Sequence, residues 1–265
     1  MSRPALAILI FVAFSGAAYP AAIDLGTASA FAILGGQSVT NTGSTTIQGS
    51  IGVSPGTAVS GFAPGLISSS ATAMQAQSDL TGAYGVAAGA ACLHDLSGQN
   101  IGGLTLVAGV YCFNSSAQLT GTLTLDGEGD ANAIFVFQIV STLTSASNSS
   151  VLFKNAGRAG GLFWQVGSSA TLGTGTAFAG NILALTDITL TTGATIECGR
   201  ALARNGNVTL DSNTVSNAGC DATSGGTGAP VPEPSMTVLF ATMLLLAVRR
   251  RLSTTGPLPV LQCKG

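Results

Sequence analysis

The 265-residue chain holds nine Lys and Arg, 11 Asp and Glu and a single His, so 8% of it is charged while 46% is hydrophobic. That apolar share excludes a disordered polyelectrolyte, and a net charge of −2 excludes a nucleic-acid binder with a broad basic surface. So few titratable groups leave little for acid–base or metal chemistry, whereas 36 Gly with 30 Thr and 27 Ser point to tight turns and a surface made polar by hydroxyls.

Residues 1–22 read as a secretory leader. Arg3 gives a short positive start, residues 5–14 form an apolar run, and Gly16, Ala17 and Ala18 supply small residues for cleavage, with Ala22 a second site. The run is too short to span a bilayer as a helix. From residue 23 to 221 the composition suits one domain. Short strands are expected at 31–34 and 45–51.

The stretch 68–90 breaks the strand alternation. Ala73, Ala76, Leu80, Tyr84 and Ala87 fall at helical spacing, Ser69 or Ser70 can cap the start, and Gly89 the end. One helix lying along a strand-built body is expected. An irregular cap over 91–103 follows.

Beyond the cap the chain repeats. Thr-Leu recurs at 105, 122, 142, 171, 189 and 209, mostly 17–20 residues apart, with one longer interval holding a Gly-rich loop. A period of 18–20 with Gly, Asn and Asp at the breaks suits a solenoid of three short strands per coil. Period-two alternation sends Ile188 and Leu190 one way and Thr189 and Thr191 the other. Leu123, Leu125, Leu143, Leu172 and Leu210 are then expected inside. Thr122, Thr124, Thr142, Thr144, Thr171, Thr189, Thr191 and Thr209 are expected outside. Trp164 falls in a buried register.

After a Gly/Ser/Thr linker at 222–230 comes Pro232-Glu233-Pro234, an apolar run at 236–248 and Arg249, Arg250 and Arg251. Residues 231–251 resemble the bacterial PEP-CTERM sorting signal, whose carriers are cleaved at the membrane by an exosortase. The tail 252–265 extends past the point where such signals end. Most basic residues sit in these end segments, which leaves 23–221 mildly acidic.

Five Cys occur. Cys263 lies past the sorting motif. Cys92, Cys112, Cys198 and Cys220 form an even set in an exported domain, which suggests two disulfides. Of three connectivities the near pairing, 92–112 and 198–220, is expected; free buried thiols are the alternative.

The segments Leu25-Gly26-Thr27-Ala28-Ser29-Ala30-Phe31-Ala32-Ile33-Leu34, Gly49-Ser50-Ile51-Gly52-Val53-Ser54-Pro55-Gly56, Gly102-Gly103-Leu104-Thr105-Leu106, Leu119-Thr120-Gly121-Thr122-Leu123 and the run 167–210 together resemble the microbial ice-binding protein family. The resemblance spans about residues 23–220. It implies an all-β fold, a right-handed parallel β-helix of roughly triangular section with one long α-helix alongside, in a discontinuous coil order. It also implies adsorption to ice with no reaction. In several bacterial members a loose Thr-Ala/Gly-x-Thr/Asn motif recurs once per coil. Thr192-Gly193-Ala194-Thr195 fits it, Thr174-Gly175-Thr176-Ala177 fits three positions, Ser145-Ala146-Ser147-Asn148 fits with Ser at the first, and Ser212-Asn213-Thr214-Val215 fits poorly. The expected ice-binding set is therefore Thr142, Thr144, Thr171, Thr174, Thr176, Thr189, Thr191, Thr192, Thr195, Thr209 and Thr214. The sequence leaves open whether the Thr-x-Thr rows and the Thr-Gly-x-Thr turns share one face.

The physical argument agrees. Thr offers a methyl and a hydroxyl on a stiff stem, and coils repeat about every 4.8 Å, so an array of them holds water at fixed spacing. The plainer reading is that Thr is a good exposed strand residue. The expected partners are an ice surface and a sorting protease. No nucleic acid, small-molecule substrate, cofactor or metal is expected, and the exported protein is expected to be a monomer at the surface or outside the cell. A structural or adhesive matrix protein is the alternative, and a β-helix carbohydrate enzyme using Asp187, Glu197 and Arg200 a weaker one. The Asp126-Gly127-Glu128-Gly129-Asp130 loop reads as a turn rather than a calcium site, and His94 beside Asp95 as a surface histidine.

Overall fold

The structure, a computed structural model, describes residues 22–63 and 66–218. The leader up to residue 21, the linker, the motif Pro232, Glu233 and Pro234, and the tail lie outside the described residues.

The coils form a parallel β-helix with three faces, and every strand pairing is parallel. The first face runs β4(Ser50–Val53), β1(Phe31–Gly35), the second halves of β18(Thr195–Ala203) and β16(Ala177–Ala184), β14(Leu162–Val166), β11(Phe135–Ile139), β8(Gly109–Phe113) and β6(His94–Asp95). The second runs β5(Ala58–Ser60), β2(Ser38–Thr42), β19(Val208–Asp211), β17(Ile188–Leu190), β15(Ala170–Leu172), β12(Leu143–Ser145) and β9(Ala117–Leu119). The third holds β3(Thr46–Gln48), β20(Thr214–Ser216), the first parts of β18 and β16, β13(Ser150–Lys154), β10(Thr122–Asp126) and β7(Thr105–Val107).

β16 and β18 pass from the third face to the first without a break. The bend falls at Gly180 (φ +89°), where the ladder shifts register. A Cβ there would stand 2.5 Å from Leu162 Cγ, so only glycine fits.

The coil order is discontinuous, as the resemblance implied. β1 pairs with both β4 and β18, which seats the first coil of the chain between its second coil and its last. The second coil therefore ends at one tip of the solenoid while residue 94 must begin at the other. The helix α1(Ser70–Gly89) makes that crossing. Its 20 residues span about 30 Å, and the eight strands of the first face span about 34 Å at the usual strand spacing. It starts two residues later and ends one earlier than expected from the sequence. Ser69 caps it by accepting a hydrogen bond from the Thr72 N–H. Gln138 Nε2 donates to the carbonyls of Ala87 and Ala90 at its other end, where helix carbonyls lack partners.

This helix explains the two kinds of strand. On the first face β1 and β14 are buried throughout, with solenoid interior below and helix above. Ala73, Ala76, Leu80, Ala83 and Ala87 pack on Phe31, Leu34, Val136, Phe163, Leu183 and Leu202. Such strands read as continuous apolar runs. Tyr84, expected in the buried stripe, stands at its edge instead; Ala83 takes the buried position. Gln165 Nε2 donates to the Tyr84 hydroxyl at 2.7 Å, and Arg204 lies over the ring. Among the described residues the second and third faces carry no helix, and their strands alternate buried and open residues.

Inside, Tyr111, Phe137, Trp164 and Phe178 stack in successive coils with centroids 4.2–5.2 Å apart. Trp164 is fully buried, as expected, and its indole N–H donates to the Ala179 carbonyl. The cap is more regular than an irregular loop. β6 pairs with β8, Asn100 bridges to Gln118, and the Cys92–Cys112 disulfide ties the cap to β8. Cys198, expected to bridge to Cys220, is a free cysteine whose Sγ lies 3.6 Å from the Ala218 carbonyl, and Cys220 lies outside the described residues.

Candidate functional site

On the second face the ladder sets Thr40, Thr209, Thr189, Thr171 and Thr144 in direct register, one per coil, with Ser60 before them and Gln118 after. Beneath the rank Val39, Val208, Ile188, Leu143, Leu172, Leu190 and Leu210 are at most 1% exposed. The alternation that buries these apolar residues turns each Thr outward. Stacking of identical side chains is a device that keeps a sheet flat.

The hydroxyls on this side divide into two kinds. Those flanking the rank are bonded within the protein. Thr142 Oγ1 donates to Ser116 Oγ, Thr191 Oγ1 to the Leu172 carbonyl, Thr42 Oγ1 to the Leu210 carbonyl, and Ser169 shares a bond with Thr186. Thr192 Oγ1 donates to the Asp211 carboxylate. The five hydroxyls of the rank bond to no described residue, so their donors and acceptors face solvent. The two carboxylates near the rank are both engaged: Asp187 Oδ1 accepts from the Asn207 N–H and Nδ2, and Asp211 from Thr192. No Lys, Arg or Glu stands in these columns.

The expected residues separate onto three parts of the molecule. Thr144, Thr171, Thr189 and Thr209 form the rank, with Thr142 at its edge. Thr174, Thr191 and Thr192 line the corner to the third face. Each of six corner turns there places one residue in the left-handed region: Gly43, Gly121, Asn148, Gly175, Gly193 and Ser212. Thr195 and Thr214 lie on the third face. Thr176 is corrected. It is fully buried inside the corner, where Oγ1 lies 2.9 Å from Ser145 Oγ and donates to the Ala146 carbonyl. The residue after the left-handed position of the corner points inward, as Ala194 after Gly193 and Asn213 after Ser212 also do. The Thr-Leu repeat likewise mixed faces. Its members at 105 and 122 are on the third face and the later ones on the second, because both faces share one in–out alternation.

Sequence reasoning missed Thr40. The strand that carries it, Ser38-Val39-Thr40-Asn41-Thr42, alternates visibly, but its neighbour in space is the last coil, so no interval in the repeat pointed to it.

The other candidate groups do not converge. Asp126 accepts from the Glu128 N–H and from Asn155, bonds that hold its carboxyl below the ordinary range, and pairs with Lys154 at 3.2 Å. These are turn contacts, and the described residues include no cluster able to hold a metal. His94 is exposed and stacks on Tyr111 at 5.0 Å. Asp187, Glu197 and Arg200 stand on different faces. Arg200 is buried, donating to Asn181 Oδ1 and to the Ser29 carbonyl. A groove of about 540 Å³ on the third face is lined by Leu152, Phe153, Arg158, Phe178 and Glu197.

A family model described as ice-binding-like matches residues 33–216. The chain is 54% identical to an ice-binding protein of Nostoc sp. (strain HG1), over 93% of this chain and 94% of that one. It is 34% identical to an ice-binding protein of Colwellia sp, over 78% and 88%. Among solved structures, an ice-binding protein of the Antarctic ascomycete Antarctomyces psychrotrophicus is similar at TM-score 0.69 and 44% identity, covering 73% of this chain and 97% of its own. One from an Antarctic biological consortium is similar at TM-score 0.68 and 46% identity, over 73% and 90%. The chain belongs to the ice-binding-like family.

Proposed function

We propose that this chain is an exported ice-binding protein that adsorbs to ice through the second face and slows ice growth or recrystallisation. The observation that carries the reading is the unbroken rank Thr40, Thr209, Thr189, Thr171 and Thr144, whose hydroxyls bond to nothing else described. Each Thr is β-branched and backed by a packed core, so it has little side-chain entropy to lose on adsorption. Its methyl adds apolar burial, and its free hydroxyl holds a water at the coil spacing. A Lys or Glu in the rank would impose its own hydration shell; none is present. No reaction is involved, and no cofactor is needed. The relatives named above, all described as ice-binding proteins, support the same activity.

The protein acts as a monomer, outside the cell or at its surface. Residues 1–22 direct export, and 231–251, carrying Pro232, Glu233 and Pro234, are the substrate of a membrane sorting protease.

The test is thermal hysteresis and recrystallisation inhibition by the full chain, beside Thr171→Tyr and Thr189→Tyr. Loss of activity in both variants with an unchanged melting midpoint is expected. Full activity in both would remove the second face as the contact.

A further inference from the structure

A second group of free hydroxyls stands on the third face. Thr46 pairs with Thr214, and Thr214 with Thr195, in one outward column over three adjoining coils. Their strand neighbours Ile47, Val215 and Ile196 point into the core. Like the rank on the second face, and unlike the corner threonines, these three hydroxyls bond to no described residue. The column ends where its chemistry changes. Ala177 follows Thr195 without a hydroxyl, and Ser150 and Thr122 beyond it bond to each other at 2.8 Å. Further along the strands Gln48 is bonded to Ser216, and Glu197 brings charge.

The same three coils are braced from within. Asn213, 1% exposed, donates through Nδ2 to the carbonyls of Thr191 and Ala194, and its N–H donates to Thr45 Oγ1. That network joins the coils carrying Thr195, Thr214 and Thr46. A fully satisfied buried network rigidifies what lies above it, so the column is held in place before any contact with ice.

We infer that Thr46, Thr214 and Thr195 form a second, shorter ice-contact strip. It is separated from the first by the corner and adsorbs to an ice plane of different orientation. The inference rests on the proposed ice binding. It gives the molecule two contact strips on adjoining faces, of five threonines and of three.

The test is ice-plane affinity, in which a fluorescently labelled full chain is frozen into a single ice crystal and the labelled planes are read. The variants are Thr195→Tyr with Thr214→Tyr, Thr195→Val with Thr214→Val, and Thr171→Tyr with Thr189→Tyr. The valine pair keeps shape and folding while removing the hydroxyls. The parent is expected to label two sets of planes. The third-face variants are expected to lose one set and keep the other, and the second-face variant to show the reverse. Third-face variants that label every plane the parent labels overturn the second strip while leaving the first standing. A parent that labels no plane overturns both.

Discussion

Thr40 and Thr209 are ladder partners on the open sheet, although one lies in the first coil of the chain and the other in the last. The rank is therefore continuous only because the discontinuous coil order closes it. Thr40→Tyr should cost activity as Thr209→Tyr does, since a phenol ring on either holds the sheet away from a flat surface over the neighbouring coils. Ser60→Tyr, at the end of the rank, should cost less. Nanolitre osmometry on the three variants checks the order. Parent-level hysteresis in Thr40→Tyr beside loss in Thr209→Tyr would place the seam outside the contact.

Thr176 carries the opposite expectation. Its hydroxyl is buried against Ser145 Oγ and the Ala146 carbonyl, so Thr176→Val leaves buried polar atoms short of a partner at nearly constant volume. A destabilisation of about 1–3 kcal/mol is expected from that loss. Below the lowered melting midpoint, hysteresis should match the parent. Thr174→Val, on the exposed side of the same turn, should leave the midpoint unchanged. Denaturant titration separates the two.

These contrasts show what the sequence made legible. Alternation told inside from outside at Leu172, Leu190, Leu210 and their Thr neighbours, and helical spacing placed α1 within two residues. It could not tell one face from another. Thr122-Leu123 and Thr189-Leu190 are the same dipeptide on different faces, and the face depends on how many corners precede it. Nor could it show that Thr45, Asn213 and Thr176 turn inward at corners, because the left-handed residue that reverses them is Gly in four turns but Asn148 and Ser212 in the others. The rank itself needed the seam between β2 and β19, which no local pattern records.

Asp79 sets a pH dependence. Its carboxylate accepts from the Thr27 N–H at 2.8 Å, from Thr27 Oγ1 at 2.6 Å and from Gln75 Nε2 at 2.8 Å, tying the turn before β1 to α1. The Thr27 side-chain bond, then its N–H, hold the carboxyl below the ordinary 3.8. A depressed folded value means the group stabilises above its unfolded pKa, and that contribution is lost as pH falls through the folded value. Asp79→Asn should therefore melt slightly lower than the parent at pH 7, with the gap closing under strong acid. Because the group is exposed the effect is small. A gap that persists unchanged at low pH would show that the charge is not its source.

The Cys92–Cys112 bridge tests whether the tip of the solenoid supports the rank or only caps it. The bridge fixes the two-residue β6 against β8. The polar rank on the second face ends at Gln118, joined to the same cap through the Asn100 bridge. A 20-residue separation corresponds to a stabilisation of about 3 kcal/mol in the chain-entropy picture. Cys92→Ser with Cys112→Ser should lower the midpoint accordingly and raise amide exchange over 94–107 first. Hysteresis should persist at low temperature, because Thr144 and the coils beyond it are held by their own core, from Leu143 to Leu210, and not by the cap. If activity falls in step with loss of the bridge while the rest of the solenoid stays protected from exchange, the cap positions the rank, and the contact extends to Gln118 and the tip.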